Sequence, residues 1–228
     1  MTTMTDGPRR ISIAGLAMSV LVAIASVALP TLLAETSQAA CQIDTVGVDT
    51  SLATGLDGPI LGEAFGQVFL ASDSLISAIT VWRIASEAWN DTGWHLFITA
   101  TDSLGAPAPN SILLDGPTLV HSYGDGVHPI PFRFAFNPPF ALPHAGKYYF
   151  AIQANPCDGF FNMEFNDYNV YPDGEFWRNG RTIYSGCYLR NYPEKFPQVD
   201  LVFTVEFCRP MPPALTSTWG AVKDRYRK

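Results

Sequence analysis

Aromatic rings set among amides, carboxylates and guanidinium groups are the chemistry this sequence offers most freely. Trp89, Trp94, Tyr168, Tyr171, Phe176, Trp177, Tyr184, Tyr188 and Tyr192 stand close to Asn, Asp, Arg and Gly residues. Residues 157–195 are densest in this mixture, with Asn162, Asn166, Asp167, Asn169, Asp173, Arg178, Asn179, Arg181 and Arg190. A flat ring stacks on the apolar face of a sugar while neighbouring polar groups bond its hydroxyls. The same rings also serve as core, since Tyr and Trp hide a large area and need one polar partner. From this composition, Trp89, Trp94, Tyr168, Tyr171, Trp177, Arg178, Tyr184 and Tyr188 are the expected ligand contacts.

Other groups point to other chemistry. Asp44, Asp49, Asp57, Glu63 and Asp200 fall near the opening and closing strands. Carboxylates combined with backbone carbonyls suit a structural calcium ion, the one cofactor for which the sequence gives grounds. Four histidines, His95, His121, His128 and His144, are scattered; His121 and His128 flank Tyr123-Gly124-Asp125-Gly126 and could meet across a loop. Ordinary surface histidines are expected there rather than a metal site. Glu164 with Asp167, and Asp173 with Glu175, raise the question of glycoside hydrolysis, which needs one acidic and one ionised carboxyl about 5–10 Å apart. Nothing in the sequence marks one of either pair as buried, and solvated loops are expected. The sequence has no G-x-S-x-G elbow, H-E-x-x-H helix or phosphate-cradling glycine loop. The expectation is a chain without catalytic residues.

The elements that must position these groups are short strands. Residues 64–71 form an apolar run after a Gly/Pro turn, and residues 75–84 alternate Leu75, Ser77, Ile79 and Val81 against Ile76, Ala78, Thr80 and Trp82. Period-two alternation recurs at 94–101 (Trp94, Leu96, Ile98, Ala100), 130–136 (Ile130, Phe132, Phe134, Phe136) and 147–154 (Tyr148, Phe150, Ile152, Ala154). Phe161, Met163 and Phe165 continue it. Residues 199–207 close the body with Leu201, Phe203, Val205 and Phe207 inward and Asp200, Thr204 and Glu206 outward. Turn clusters such as Asp57-Gly58-Pro59, Asp115-Gly116-Pro117 and Tyr171-Pro172-Asp173-Gly174 separate the runs. Many short strands at this spacing predict an all-β fold, an antiparallel β-sandwich of the jelly-roll kind.

Bulk composition agrees. Of the 228 residues, 47% are hydrophobic and 15% charged, enough apolar surface for one all-β core. Residues 41–208 carry 18 acidic and 7 basic side chains. An acidic body repels phosphate backbones, so nucleic acid is excluded as an expected partner.

Arg9 and Arg10 precede an apolar run over 11–29, and Ser37-Gln38-Ala39 follows. This pattern predicts a secretion signal over 1–39, cut after Ala39 or one residue later. Retention as a membrane anchor and lipidation of Cys41 are alternatives, and they are the only routes to a membrane the sequence suggests. The sandwich domain is expected over 40–208, followed by a Pro-rich spacer and basic tail over 209–228. The four cysteines, Cys41, Cys157, Cys187 and Cys208, read as two disulfides in an exported chain. Of three pairings, Cys41–Cys208 and Cys157–Cys187 are favoured. The first staples opening and closing strands, and the second closes a loop-rich stretch.

Gly66-Gln67-Val68-Phe69-Leu70-Ala71 with Leu75-x-x-x-Ile79-x-x-Trp82, then residues 140–150 (Phe140-Ala141-Leu142-Pro143-His144-Ala145-Gly146-Lys147-Tyr148-Tyr149-Phe150), and Asp200-Leu201-Val202-Phe203 form a set. Together they resemble secreted bacterial jelly-roll modules found beside surface-anchoring signals, many of unassigned function. The tail around Ser217-Thr218-Trp219-Gly220 is similar to short C-terminal tails of exported bacterial proteins. The resemblance covers most of residues 61–207. It implies a sandwich related in shape to carbohydrate-binding modules, and it carries no catalytic residues. The function expected is therefore an extracellular, non-catalytic module binding a glycan or cell-surface polymer. The alternatives are an adhesive surface protein without a small ligand, and a secreted hydrolase with an unrecognised site.

Overall fold

Alternating side chains give each strand one oily face, and the chain hides these faces by laying two sheets against each other. The computed structural model describes residues 41–58, 63–121, 123–156, 159–179 and 193–210, all within the unit Ala39–Lys228. In chain order its strands are β1 (Cys41–Val48), β2 (Gly55–Asp57), β3 (Ala64–Ala71), β4 (Leu75–Arg83), β5 (Gly93–Thr101), β6 (Pro107–Leu119), β7 (Ile130–Ala141), β8 (Gly146–Asn155), β9 (Met163–Asn166), β10 (Phe176–Asn179), β11 (Pro193–Phe196), β12 (Asp200–Leu201) and β13 (Phe203–Pro210). One sheet runs β1-β13-β4-β9-β12, with β7 on β4 and β2 on β9; the other runs β11-β10-β3-β8-β5-β6. Every pairing among these strands is antiparallel. The fold is an antiparallel β-sandwich, as the alternation predicts. Among the described residues no helix is long and apolar enough to cross a membrane.

The core lies between the sheets. Ile79, Val81, Phe132, Phe134, Phe203, Val205 and Phe207 from the first sheet meet Phe65, Phe69, Trp94, Leu96, Ile98, Phe150 and Ile152 from the second. The inward faces expected for β5, β7, β8 and β13 do supply the core between the sheets, with Ala100 and Phe136 only half-buried; in β5 and β8 the opposite face, with Phe97, Thr99, Tyr149, Ala151 and Gln153, is buried as well. In β4 the period breaks: Ile76 is in the core together with Ile79 and Val81. A register shift between Ile76 and Ala78 causes this, with the Ser77 hydroxyl donating to the Glu206 carbonyl at 3.2 Å. One extra residue at a bulge moves Ile76 to the opposite side from the one strict alternation gives it.

Asp200, expected to face outward, is fully buried. β12 and β13 are separated at Val202, whose N–H donates to the Glu164 carbonyl, so the outward reading of a continuous strand fails there. The Asp200 carboxylate accepts from Gln67 Nε2 at 2.7 Å, Val170 N at 2.7 Å and Tyr171 N at 2.8 Å. Leu201 N donates to Gln67 Oε1 at 3.0 Å, which fixes the Gln67 amide with its nitrogen toward Asp200. Burial pushes the Asp200 carboxyl up, against the pull of the Tyr171, Gln67 and Val170 donors.

Cys41 and Cys208 form a disulfide, with Cα atoms 5.0 Å apart, across the β1–β13 pair. The expected Cys157–Cys187 bridge, the leader over 1–39 and the tail beyond Pro210 lie outside the described residues.

All three groups facing Asp200 are donors, so an amide in its place must turn an NH₂ toward at least one of them. Asp200→Asn is expected to lower the unfolding free energy by about 2–3 kcal/mol in a urea titration. Asp49→Asn is the control. Asp49 caps the short helix Thr50–Leu52 by accepting from Ser51 N, and Asn caps as well as Asp, so its change stays below about 0.5 kcal/mol.

Candidate functional site

The sequence-expected ligand residues do not gather at one place. Trp94 is wholly buried, stacked on Phe132 with centroids 4.0 Å apart and flanked by Phe161, so it has no face left for a solute. Tyr171 is buried too; its hydroxyl accepts from Leu70 N at 3.0 Å and its ring packs edge-on against Phe203. Trp177 lies on the outer side of the second sheet in a small cluster with Ala64, Val68, Phe97, Tyr149 and Ala151. Arg178 pairs with buried Glu63 at 3.1 Å and lies over the Phe65 ring. Each of these four is engaged by contacts within the fold. Tyr168 is exposed, and among the described residues no ring contact joins it to the others. Tyr184 and Tyr188 lie outside the described residues.

The five carboxylates expected to share calcium are also separate. Asp44 faces Arg209 at 3.7 Å, Asp49 caps a helix, Asp57 accepts from Gly58 N, Glu63 holds Arg178, and Asp200 is sealed in the core. Among the described residues no three His, Cys, Asp or Glu side chains come together to hold a metal ion.

What the fold does assemble is a groove at the rim beside the start of β7. His121, Tyr123, Gly124, Asp125, His128, Pro129, Ile130 and Pro131 line a depression of about 330 Å³. Trp89, 78% exposed, meets Tyr123, 74% exposed, edge to face at 5.5 Å. Two rings this large left in solvent together are the unusual feature, since single exposed apolar residues are common and paired ones are not. His121 and His128 do line the same groove, as their spacing around the loop suggests.

Polar contacts fix the floor. Asp125 Oδ1 accepts from the N–H groups of Val127 and His128, each at 2.8 Å, and Oδ2 accepts from His128 Nδ1 at 2.6 Å. The His128 hydrogen bond, then the two backbone donors, holds the Asp125 carboxyl well below the usual carboxylate range. With Nδ1 donating to a carboxylate, a neutral His128 presents Nε2 as an acceptor.

The rim is held from beneath by a residue that sequence reading missed. Arg83, at the end of β4, is fully buried. Its guanidinium donates to the Asn90 carbonyl and, at 2.9 Å, to the His121 carbonyl, while lying over the Phe132 ring. One side chain thus ties the Trp89 loop to the His121 loop. Burial lowers its pKa from the usual guanidinium value, partly offset by Glu87 and Asp91. Gly124 N donates to the Ala88 carbonyl at 2.9 Å. A Cβ at Gly124 would lie 2.5 Å from Ile130 Cδ1, so a larger residue there would make the Ile130 side chain turn aside. On the other flank, Glu87 accepts from Asn162 N and Nδ2, and Asn90 donates to the Phe160 carbonyl. Loops tied this way present their rings without an ordering cost at the moment of binding.

No known protein family matches the sequence, and no curated protein matches it. Two solved structures share part of the chain trace. One is the clostridial cysteine protease Cwp84 after propeptide cleavage, 13% identical with a TM-score of 0.48 over 72% of this chain and 39% of that one. The other holds the cysteine protease and lectin-like domains of Cwp84, a surface layer associated protein of Clostridium difficile. It is 12% identical with a TM-score of 0.43, over 67% and 36% of the two chains. The chain thus spans less than half the length of either, and likeness at this level assigns it no ligand or activity.

Arg83→Met would leave the partly buried Asn90 and His121 carbonyls without this donor. It is expected to cost about 3 kcal/mol in chemical denaturation and to raise the accessibility of Trp89 to acrylamide quenching. Asp125 gives a pH test. Its folded-state pKa lies below the ordinary 3.8, so its contribution to loop order is complete above that value and is lost as pH falls through and below it. Trp89 emission should therefore change reversibly below about pH 4 in the wild type. In Asp125→Asn the step should be absent.

Proposed function

We propose that this chain is an exported, non-catalytic binding module that holds a carbohydrate in the groove beside Trp89 and Tyr123. The carrying observation is the exposed, mutually packed Trp89–Tyr123 pair bordering a groove whose polar groups are already fixed. Sugar rings have an apolar face and a rim of hydroxyls. Trp89 and Tyr123 offer flat apolar surface, Asp125 offers acceptors, and His128 Nε2 offers one more. The Arg83 and Gly124 contacts keep the surfaces in place before any ligand arrives. Export fits the Cys41–Cys208 disulfide, which an oxidising compartment preserves, and it fits the leader-like pattern of residues 1–39. In this proposal the sandwich over 40–208 is the working part, and the basic stretch over 209–228 is an accessory tail.

A hydrolase would have to use the Asp125–His128 hydrogen bond as orienter and base. Those side chains are 55% and 79% exposed, so water, rather than a closed site, surrounds the imidazole. That favours recognition over catalysis.

Affinity electrophoresis against a panel of soluble bacterial, plant and fungal polysaccharides tests the proposal. Retardation by at least one is expected. It should weaken about tenfold, near 1.4 kcal/mol, in Trp89→Ala and in Tyr123→Ala, with the melting temperature nearly unchanged. Trp177→Ala should instead lower the melting temperature, because that ring is 8% exposed. A panel without any retardation, or retention that survives loss of both rings, sinks the proposal.

A further inference from the structure

We infer that the chain carries a second ligand site, independent of the groove, that takes a small organic cation with an apolar body. Between β9 and β12 of one sheet and β3, β10 and β11 of the other lies a cavity of about 230 Å³. Its walls are Phe65, Phe165, Phe176, Phe196, Val199 and Leu201, and Asp57 and Asp167 complete the lining. A cavity of about 150 Å³ lined by apolar side chains holds a benzene ring, so this one has room for a six-carbon chain or an aromatic ring.

The walls are ordered. Phe65 packs edge-on against Phe176 at 5.4 Å, and Phe176 packs against Phe196 at 5.6 Å. The aspartates are exposed and therefore belong to the mouth. Asp167 is held there: its Oδ2 accepts from the Thr54 hydroxyl at 3.1 Å, and its N–H donates to the same hydroxyl at 2.8 Å. Asp57 Oδ1 accepts from Gly58 N at 2.8 Å. Neither aspartate has a cationic partner among the described residues. The cation beside the cavity wall is Arg178, 5.8 Å from the Phe65 centroid, and Glu63 neutralises it at 3.1 Å.

An apolar chamber with uncompensated carboxylates at its opening selects by charge. A neutral guest gains only burial. An anionic guest is repelled at the mouth. An alkylammonium buries its chain among the phenyl rings and leaves its head between two carboxylates, with the rings' negative faces adding attraction.

The test is a matched series, hexylammonium, hexanol and hexanoate, titrated into the full chain at low ionic strength by calorimetry, with methyl NMR on Val199 and Leu201. Hexylammonium is expected to bind at least about tenfold more tightly than hexanol, hexanoate is expected to bind least, and the Val199 and Leu201 methyl signals should shift. Asp57→Asn/Asp167→Asn should bind hexylammonium and hexanol alike. The wild-type series decides the matter even if that variant does not fold. Equal affinities across the series, preference for hexanoate, binding by none, or shifts confined to other residues would overturn the inference. Because the probes are not sugars and the reporters are not in the groove, failure here leaves the carbohydrate proposal standing, and the reverse also holds.

Discussion

A carboxylate sealed between two sheets, with no cation pairing it among the described residues, is the constraint from which much of this structure follows. Asp200 is tolerated in the core because three donors face it, and they come from two other pieces of the chain, so that three pieces meet at its carboxylate. Gln67 brings the middle of β3, and Val170 and Tyr171 bring the segment that leads to β10. The Tyr171 hydroxyl then reaches back to Leu70 on β3. A buried charge costs several kcal/mol unless every lone pair is met, so the three pieces cannot drift apart independently. The register of β10 on β3, which seats Phe176 and Phe65 against one another, is fixed at this point.

Arg83 plays the complementary part for the opposite charge. It ends β4, where its register partners are Ile130 on β7 and Met163 on β9. Ile130 lines the groove, and β9 carries Phe165 of the cavity wall. The guanidinium is a rigid planar fork of donors, and two of its nitrogens reach two separate loop carbonyls, those of Asn90 and His121. Each group answers several neutral partners at once, so removing either leaves polar atoms around it unmet. What they determine is the position of loops that alternation alone leaves free.

That division explains what could be read from the sequence. Alternation in 94–101, 130–136 and 147–154 named the inward faces correctly because those strands run unbroken through the core. The Cys41–Cys208 pairing was legible because first and last strands of a sandwich are often neighbours, as β1 and β13 are. The bulge at Ile76–Ala78 and the break at Val202 were not, since both depend on what the partner strand does. Trp89 and Trp94 illustrate the limit for the site. They lie five residues apart amid similar neighbours, yet one is 78% exposed and the other 0%. Composition brings both forward as ring platforms, and only the strand that begins at Gly93 turns the second inward. The five carboxylates stay apart for a related reason: nearness to strand ends does not make side chains converge, and each acid meets a partner of its own.

The acidic body gives these local features a common setting. With 18 acidic against 7 basic side chains over 41–208, the field around the sandwich favours neutral or cationic solutes and disfavours anionic ones. At the groove the Asp125 carboxylate is engaged by His128 and by two backbone N–H groups, which tie it to its own loop. At the cavity, among the described residues, Asp57 and Asp167 accept from one backbone N–H and one hydroxyl and pair with no cation. The two proposed openings on one scaffold therefore differ in what they present to a ligand: a carboxylate tied into its loop beside two exposed rings at the groove, and two carboxylates at the mouth of a phenyl-lined chamber at the cavity.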